Sequence, residues 1–156
     1  MGFVMSQRAE ILRKGNYRVR FALGQQDLKA TRALRTLCFG TEQTDLDPFD
    51  DLCTHVLLED LRSAELVCSF RILQLSDGEQ IHKSYSGQFY DLSRLAEYPH
   101  PMIEVGRFCS HPGWNDPDIL RLAWMALTHI VEDSAAQMLF GCSSFPGTEV
   151  AAHLEA

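Results

Sequence analysis

No apolar run in the chain approaches the roughly 20 residues needed to cross a bilayer. Residues 1–10 hold no long apolar segment of the secretory kind. Neither a membrane-spanning nor a secreted protein is therefore expected. No Cys-x-x-Cys pair occurs among Cys38, Cys53, Cys68, Cys109 and Cys142. An odd, dispersed set in apolar contexts reads as reduced core thiols of a cytosolic protein. There is no G-x-S-x-G elbow and no glycine-rich phosphate loop, and the six histidines show no metal-ligand spacing. Asp51-Leu-Cys53-Thr-His55 is too sparse for zinc. Serine-hydrolase and zinc chemistry are thus not indicated. Residues 36–61 contain no lysine or arginine at all, and no repeat or low-complexity tract appears.

The 156 residues fit one domain, and 46% hydrophobic against 22% charged residues is the balance of a folded globular chain. The net charge of -7 is uneven. Residues 1–35 hold eight basic groups (Arg8, Arg13, Lys14, Arg18, Arg20, Lys29, Arg32, Arg35) against Glu10 and Asp27. The acidic remainder argues against nucleic-acid binding. The basic portion, with residues 1–16 as a leading segment before a domain over 17–156, suits either an acidic partner or anionic surface, or a solvated face.

Tyr17–Leu23 alternates apolar and polar residues and predicts a half-buried strand. Gln25–Phe39 predicts a helix with Ala30, Ala33, Leu34, Leu37 and Cys38 toward the core, and Arg32, Arg35 and Phe39 away from it. Strands are expected at His55–Glu59, Glu65–Leu75, Met102–Ser110 and Gln137–Ser143. A short helix is expected within Asp91–Tyr98, and a turn at Pro146–Gly147. Asp116 and Pro117 open a second helix, Ile119–Val131, apolar nearly all round and so expected to be largely buried. Val150–Ala156 reads as the start of a helix. The expected fold is mixed α/β (α+β), with a mainly antiparallel central sheet flanked by helices. An apolar strand near the end of the chain suggests a missing C-terminal part, or a sheet edge open to a second copy.

Four constellations carry chemistry. Arg35 and Phe39 lie one helical turn apart. Asp45, Asp47, Asp50 and Asp51 crowd a loop, which calls for a cation or forms a solvated turn; the spacing is not that of an EF-hand. Arg71, in an otherwise apolar strand, should face an acid, with the Asp47/Asp50 loop as candidate, or else point into solvent. Glu104-Val-Gly-Arg107 places two charges that strict alternation sends to opposite faces. A bulge at Gly106 would bring Arg107 round to the side of Glu104; the alternative is a structural ion pair. Cys109 and Cys142 read as core residues rather than nucleophiles.

The ordered set Leu34-Arg-Thr-Leu-Cys-Phe39, Asp45-x-Asp47-x-x-Asp50, Val67-x-Ser-Phe-Arg71-Ile-Leu73, Tyr85-Ser86 with Phe89-Tyr-Asp-Leu92, Glu104-Val-Gly-Arg107-Phe-Cys109 and Phe140-Gly-Cys-Ser-Ser-Phe-Pro-Gly147 covers roughly residues 17–150. It resembles the ornithine N-acyltransferases of ornithine-lipid synthesis, relatives of the acyl-homoserine-lactone synthases with an acyl-CoA N-acyltransferase fold. The resemblance implies catalytic roles for Glu104, Arg107 and Arg71. It implies substrate contacts from Arg35, Phe39, Asp47, Asp50, Phe108 and Ser143, and donor contacts from Gly106 and Cys109, with no metal or other cofactor. The reaction implied is transfer of a (3-hydroxy)acyl group from an acyl carrier protein thioester to the α-amino group of ornithine, giving lyso-ornithine lipid. It implies a cytoplasmic enzyme open to peripheral membrane contact.

The chain departs from the pattern in three places. The tryptophan that the lactone synthases carry after the phenylalanine is absent, residues 112–115 hold no basic residue, and the C-terminal portion is missing. A lactone-synthase-like enzyme and an inactive truncated binding module stand as alternatives. The residue chemistry itself suits amide formation. A carboxylate such as Glu104 takes the ammonium proton, the acidic loop holds ammonium groups, and arginines hold a carboxylate. Aspartates in Pro112-Gly-Trp-Asn-Asp116-Pro-Asp118 would repel the pyrophosphate of coenzyme A, which favours a carrier protein meeting the basic N-terminal segment.

Overall fold

The computed structural model describes residues 10–41 and 44–143. Strands β1 (Glu10–Lys14), β2 (Tyr17–Phe21), β3 (Thr54–Asp60), β4 (Glu65–Leu75), β5 (Met102–Ser110) and β6 (Met138–Phe140) form one sheet in sequence order. Every neighbouring pair is antiparallel except β5 and β6, which run parallel. Helix α1 (Gly24–Phe39) joins β2 to β3, and α2 (Pro117–Ser134) is the crossover that the parallel pair requires. The expected mixed, mainly antiparallel architecture is present. β1 differs from the expectation: Glu10–Lys14, which falls in the basic leading segment, is the sheet's first strand. The helix expected within Asp91–Tyr98 is only a 3₁₀ turn at Ser93–Leu95, and β6 is shorter than Gln137–Ser143. The turn at Pro146–Gly147 and the helix at Val150–Ala156 lie outside the described residues.

Alternation along the strands divides the sheet into two unlike faces. Tyr17, Val19, Val56, Leu58, Phe70, Ile72 and Ile103 bury one face against Ile119, Leu122, Ala123, Ala126, Leu127 and Ile130 of α2. The Asp116 carboxylate accepts from the Asp118 N–H and Pro117 occupies the first turn, so the helix starts where the sequence says it should. Only one side of α2 is buried, however. Leu120, Trp124 and Met125 are exposed, against the expectation from its near-continuous apolar sequence.

The other face carries Arg18, Arg20, Glu59, Ser69 and Arg71, and it meets α1 and the acidic loop through ion pairs. Arg20 bridges Glu59 of β3 and Asp27 of α1, at 2.6 Å to each, and Arg18 joins Glu59 at 2.8 Å. Helix α1 therefore buries Leu28, Thr31, Leu34 and Arg35, while Ala30, Ala33 and Leu37 face outward. Its orientation differs from the expected one because the sheet beneath it is polar. Gly40, at φ 63, accepts the left-handed turn that ends the helix and sends its N–H back to the Thr36 carbonyl.

Candidate active site

The site begins with a break in pairing. Ser69 pairs with Cys109 and Arg71 with Gly106, so Phe70 alone opposes Arg107 and Phe108. This is a β-bulge, and Arg107 takes it up at φ 50, a conformation costly for a residue with a side chain. The bulge falls one residue beyond Gly106. It shifts the alternation by one: Phe108 joins the α2 side, stacked on Phe70 at 5.5 Å, and Arg107 comes to the side of Glu104.

Across the sheet edge, β5 and β6 pair only from Met102/Met138 to Glu104/Phe140. Gly141 then lies against the Val105 carbonyl, where a side chain would collide with that oxygen. Beyond this point lies a cleft of about 510 Å³, lined by Phe39, Arg71, Tyr85, Glu104, Gly106, Arg107, Phe108, Cys142 and Ser143 among others.

The carboxylate of Glu104 is buried and held by one turn. The Tyr85 N–H donates to one oxygen at 2.8 Å; the Ser86 N–H and hydroxyl donate to the other at 2.6 and 2.5 Å. Both arginines lie over the Tyr85 ring, Arg71 at 5.5 Å and Arg107 at 5.4 Å, and Arg107 also covers Phe39 at 6.0 Å. The aromatic rings thus hold the two guanidinium planes, and the backbone of the same tyrosine holds the glutamate.

Behind this wall sits the acidic loop. Asp50 is buried and receives a two-pronged bond from Arg35, at 2.7 and 2.6 Å, with further bonds from Arg71 at 2.8 Å and Arg32 at 3.0 Å. Asp47 accepts from Arg71 and Arg107 at 2.9 Å each, and from the Phe49 N–H, which caps the 3₁₀ turn Pro48–Asp51. Burial pulls both carboxyls upward, but the bonds outweigh it and hold both below the ordinary aspartate value: Arg35 and Arg32 for Asp50, the Phe49 N–H and Arg71 for Asp47. The cation that the crowded acids call for is supplied by arginines. The candidate partner for Arg71 is the correct one.

The structure places some of the expected residues away from the cleft. Asp47, Asp50 and Arg35 do not line the cleft. The two acids are bonded to guanidinium groups, and Arg35 lies on the buried rather than the outer face of α1. Cys109 is buried against Ser69, with Sγ 3.5 Å from its hydroxyl, as its reading as a core residue expects. Cys142, read as a core residue, is exposed and lines the cleft. Within residues 10–35 several basic side chains are also tied into the fold. Arg13, Arg18, Arg20, Arg32 and Arg35 have acidic partners within the fold, while Lys14 and Lys29 are exposed. Tyr85 and Ser86 carried no assigned role in the sequence because their contribution is largely two backbone N–H groups, which leave no trace in residue type.

The Acetyltransferase (GNAT) domain family matches residues 31–125. An L-ornithine N(alpha)-acyltransferase of Rhodobacter capsulatus is 30% identical over 88% of this chain and 60% of its own length. One of Brucella abortus is 28% identical over 90% and 57%. The chain thus spans somewhat over half the length of these relatives. Among solved structures, the AHL synthase LasI superposes with a TM-score of 0.60 over 80% of this chain and 71% of its own, at 18% identity, a likeness of fold.

Proposed function

The chain belongs to the acetyltransferase (GNAT) domain family, and on that premise we propose that it is an N-acyltransferase moving a 3-hydroxyacyl group from a carrier-protein thioester to the α-amino group of ornithine. The observation that carries the reading is the Glu104 carboxylate beside Arg71 and Arg107 on the cleft wall where β5 and β6 part. Glu104 takes the proton of the attacking ammonium group, directly or through a water. Arg107, whose side chain is 26% exposed while Arg71's is 3% exposed, is the guanidinium placed to hold the amino acid's carboxylate. The backbone that the bulge removes from the ladder supplies N–H groups toward the thioester oxyanion. Phe39, Phe108 and Ser143 line the path of substrate or donor. Arg35, Asp47 and Asp50 act from behind, by fixing both arginines.

Ornithine as acceptor is supported by the shared name of the curated relatives. A carrier-protein donor is supported at the start of α2. There the Asp116 carboxylate fills the helix N-terminus, taking the Asp118 N–H and the Tyr17 hydroxyl at 2.7 Å. A pyrophosphate would need those donors and would meet two negative charges. The thioester enters as substrate and no resident cofactor is required. The product would be lyso-ornithine lipid. No helix among the described residues is long and apolar enough to cross a membrane, and the enzyme would meet the bilayer from one side.

The test is incubation of the protein with 3-hydroxyacyl carrier protein, or the matching acyl-coenzyme A, and a panel of amino acids, followed by mass spectrometry. Acyl-ornithine formed preferentially from the carrier is expected. Absence of any amide product, or equal use of coenzyme A, would overturn the acceptor or donor assignment respectively.

A further inference from the structure

Amide formation leaves a proton on one side of the reacting centre and a thiolate on the other. The amine must lose a proton to Glu104, and the departing pantetheine sulfur must gain one. The structure holds a chain of exchangeable protons that starts at Glu104 and returns to the cleft. The Ser86 hydroxyl, buried, lies 2.5 Å from one Glu104 oxygen and 3.2 Å from the Cys142 sulfur. A serine hydroxyl has one proton to give. Its short bond goes to the carboxylate, so the Cys142 thiol is the donor in the second contact. Cys142 itself lines the cleft, just after Gly141, where β5 and β6 separate.

We propose that Glu104, Ser86 and Cys142 form a proton relay that carries the amine's proton to the leaving thiolate. The proposal rests on the acyl-transfer reading above. The ammonium group first loses one proton through Glu104 to solvent; the neutral amine nitrogen then bonds to the thioester carbon and gives a second proton to Glu104. As the carbon–sulfur bond breaks, its electron pair stays on the pantetheine sulfur, which takes the proton of Cys142. Once protonated, Glu104 donates to the Ser86 oxygen, so the Ser86 hydroxyl turns to the Cys142 sulfur, a contact in which either atom can donate, and the thiol proton turns to the cleft. The Cys142 thiolate then takes the proton of Ser86, and Ser86 takes the proton that Glu104 has just gained. At the end the carboxylate, hydroxyl and thiol are all restored, and one proton has moved from nitrogen to sulfur with no oxidant or further reactant. Ser86, which does not line the cleft, is a positioning and relay residue; Cys142 is the group that meets the leaving sulfur.

The experiment compares two donors of the same acyl chain: an alkyl thioester of the pantetheine kind, and an aryl thioester whose thiolate leaves without a proton. For Cys142→Ala, an exposed position where folding is not at stake, kcat on the alkyl donor should fall by about 10²-fold, a usual worth of general acid catalysis. On the aryl donor it should change by less than about three-fold. Ser86→Ala, which also removes a bond to Glu104, should lower the rate on both donors and lower the alkyl-donor rate further, and Ser86→Thr, which keeps the hydroxyl, should restore most of both. Equal losses on both donors would show a structural role and overturn the relay, as would unchanged alkyl-donor rates in Cys142→Ala. Those two results leave acyl transfer itself intact. A wild-type protein inert with both donors would instead overturn the acyl-transfer reading and the relay together.

Discussion

Glu104 and Asp50 are both carboxylates at the heart of the molecule, in unlike surroundings. Glu104 is bonded to backbone N–H groups and a hydroxyl, and it lines the cleft. Asp50 is bonded to three arginines, and its side chain is fully buried. Glu104→Gln should therefore keep the fold and lower kcat by about 10²–10⁴-fold, measured beside a thermal melt. A rate within a few-fold of wild type would remove Glu104 from the chemistry. Asp50→Ala leaves Arg35 and Arg71 buried without their shared acid. Breaking such a pair costs about 3–5 kcal/mol, so denaturant unfolding should show a large loss of stability. A stable variant with weakened amino-acid binding would instead make Asp50 a substrate ligand.

At the scale of elements, α1 shows where sequence pattern misleads. Its five apolar positions point to one stripe, but the helix sits on a polar sheet face, and Arg35 is the best-buried long side chain it offers. Residue type alone marks Arg35 as exposed. Its burial depends on Asp50, 15 positions away across a loop, and no local periodicity encodes that. Leu34→Ala should accordingly cost about 2–5 kcal/mol, whereas Leu37→Lys, on the outer side, should stay within about 0.5 kcal/mol of wild type. Denaturation midpoints for the two variants separate this orientation of α1 from the one the pattern predicts.

The strands were more legible, because period-two alternation survives wherever one face is apolar. Even the shift at Arg107 was readable: two charges that alternation sends apart, beside a glycine, indicate a bulge. What the sequence could not place was the Tyr85–Ser86 turn against Glu104, a contact made chiefly by backbone. Gly141 is a similar case of backbone geometry. Gly141→Ala would drive a methyl group into the Val105 carbonyl and push β6 from β5. Donor KM should rise several-fold as the cleft wall moves; an unchanged KM would mean that this close approach does not shape the site.

The whole molecule joins its two faces differently: one by apolar contact with α2, the other by buried charge under α1 and the acidic loop. The second, where the buried carboxylates and His55 lie, depends on protonation. Burial pushes the His55 imidazole below its ordinary value of 6.5, against the opposing pull of its 3.0 Å contact with the Asp50 carbonyl. The Asp47 and Asp50 carboxyls are also depressed, from an ordinary 3.8. In every case the unfolded chain binds a proton more readily than the folded one, so stability must fall as pH falls. The two kinds of group act in separate windows. His55 contributes stability that is fully present well above pH 6.5 and is lost as pH drops through its folded value; the aspartates contribute stability that persists to about pH 4 and is lost below it. Unfolding free energy measured in urea should therefore decline in two stages on acidification. His55→Gln, which keeps a hydrogen-bond donor for the Asp50 carbonyl, should flatten the stretch between about pH 7 and pH 5 and leave the steeper acid limb in place. A wild-type profile already flat across that stretch would show that His55 is not buried against the loop. Loss of the acid limb in Asp47→Asn, with the upper stage unchanged, would trace that limb to the guanidinium-bound carboxylate at position 47.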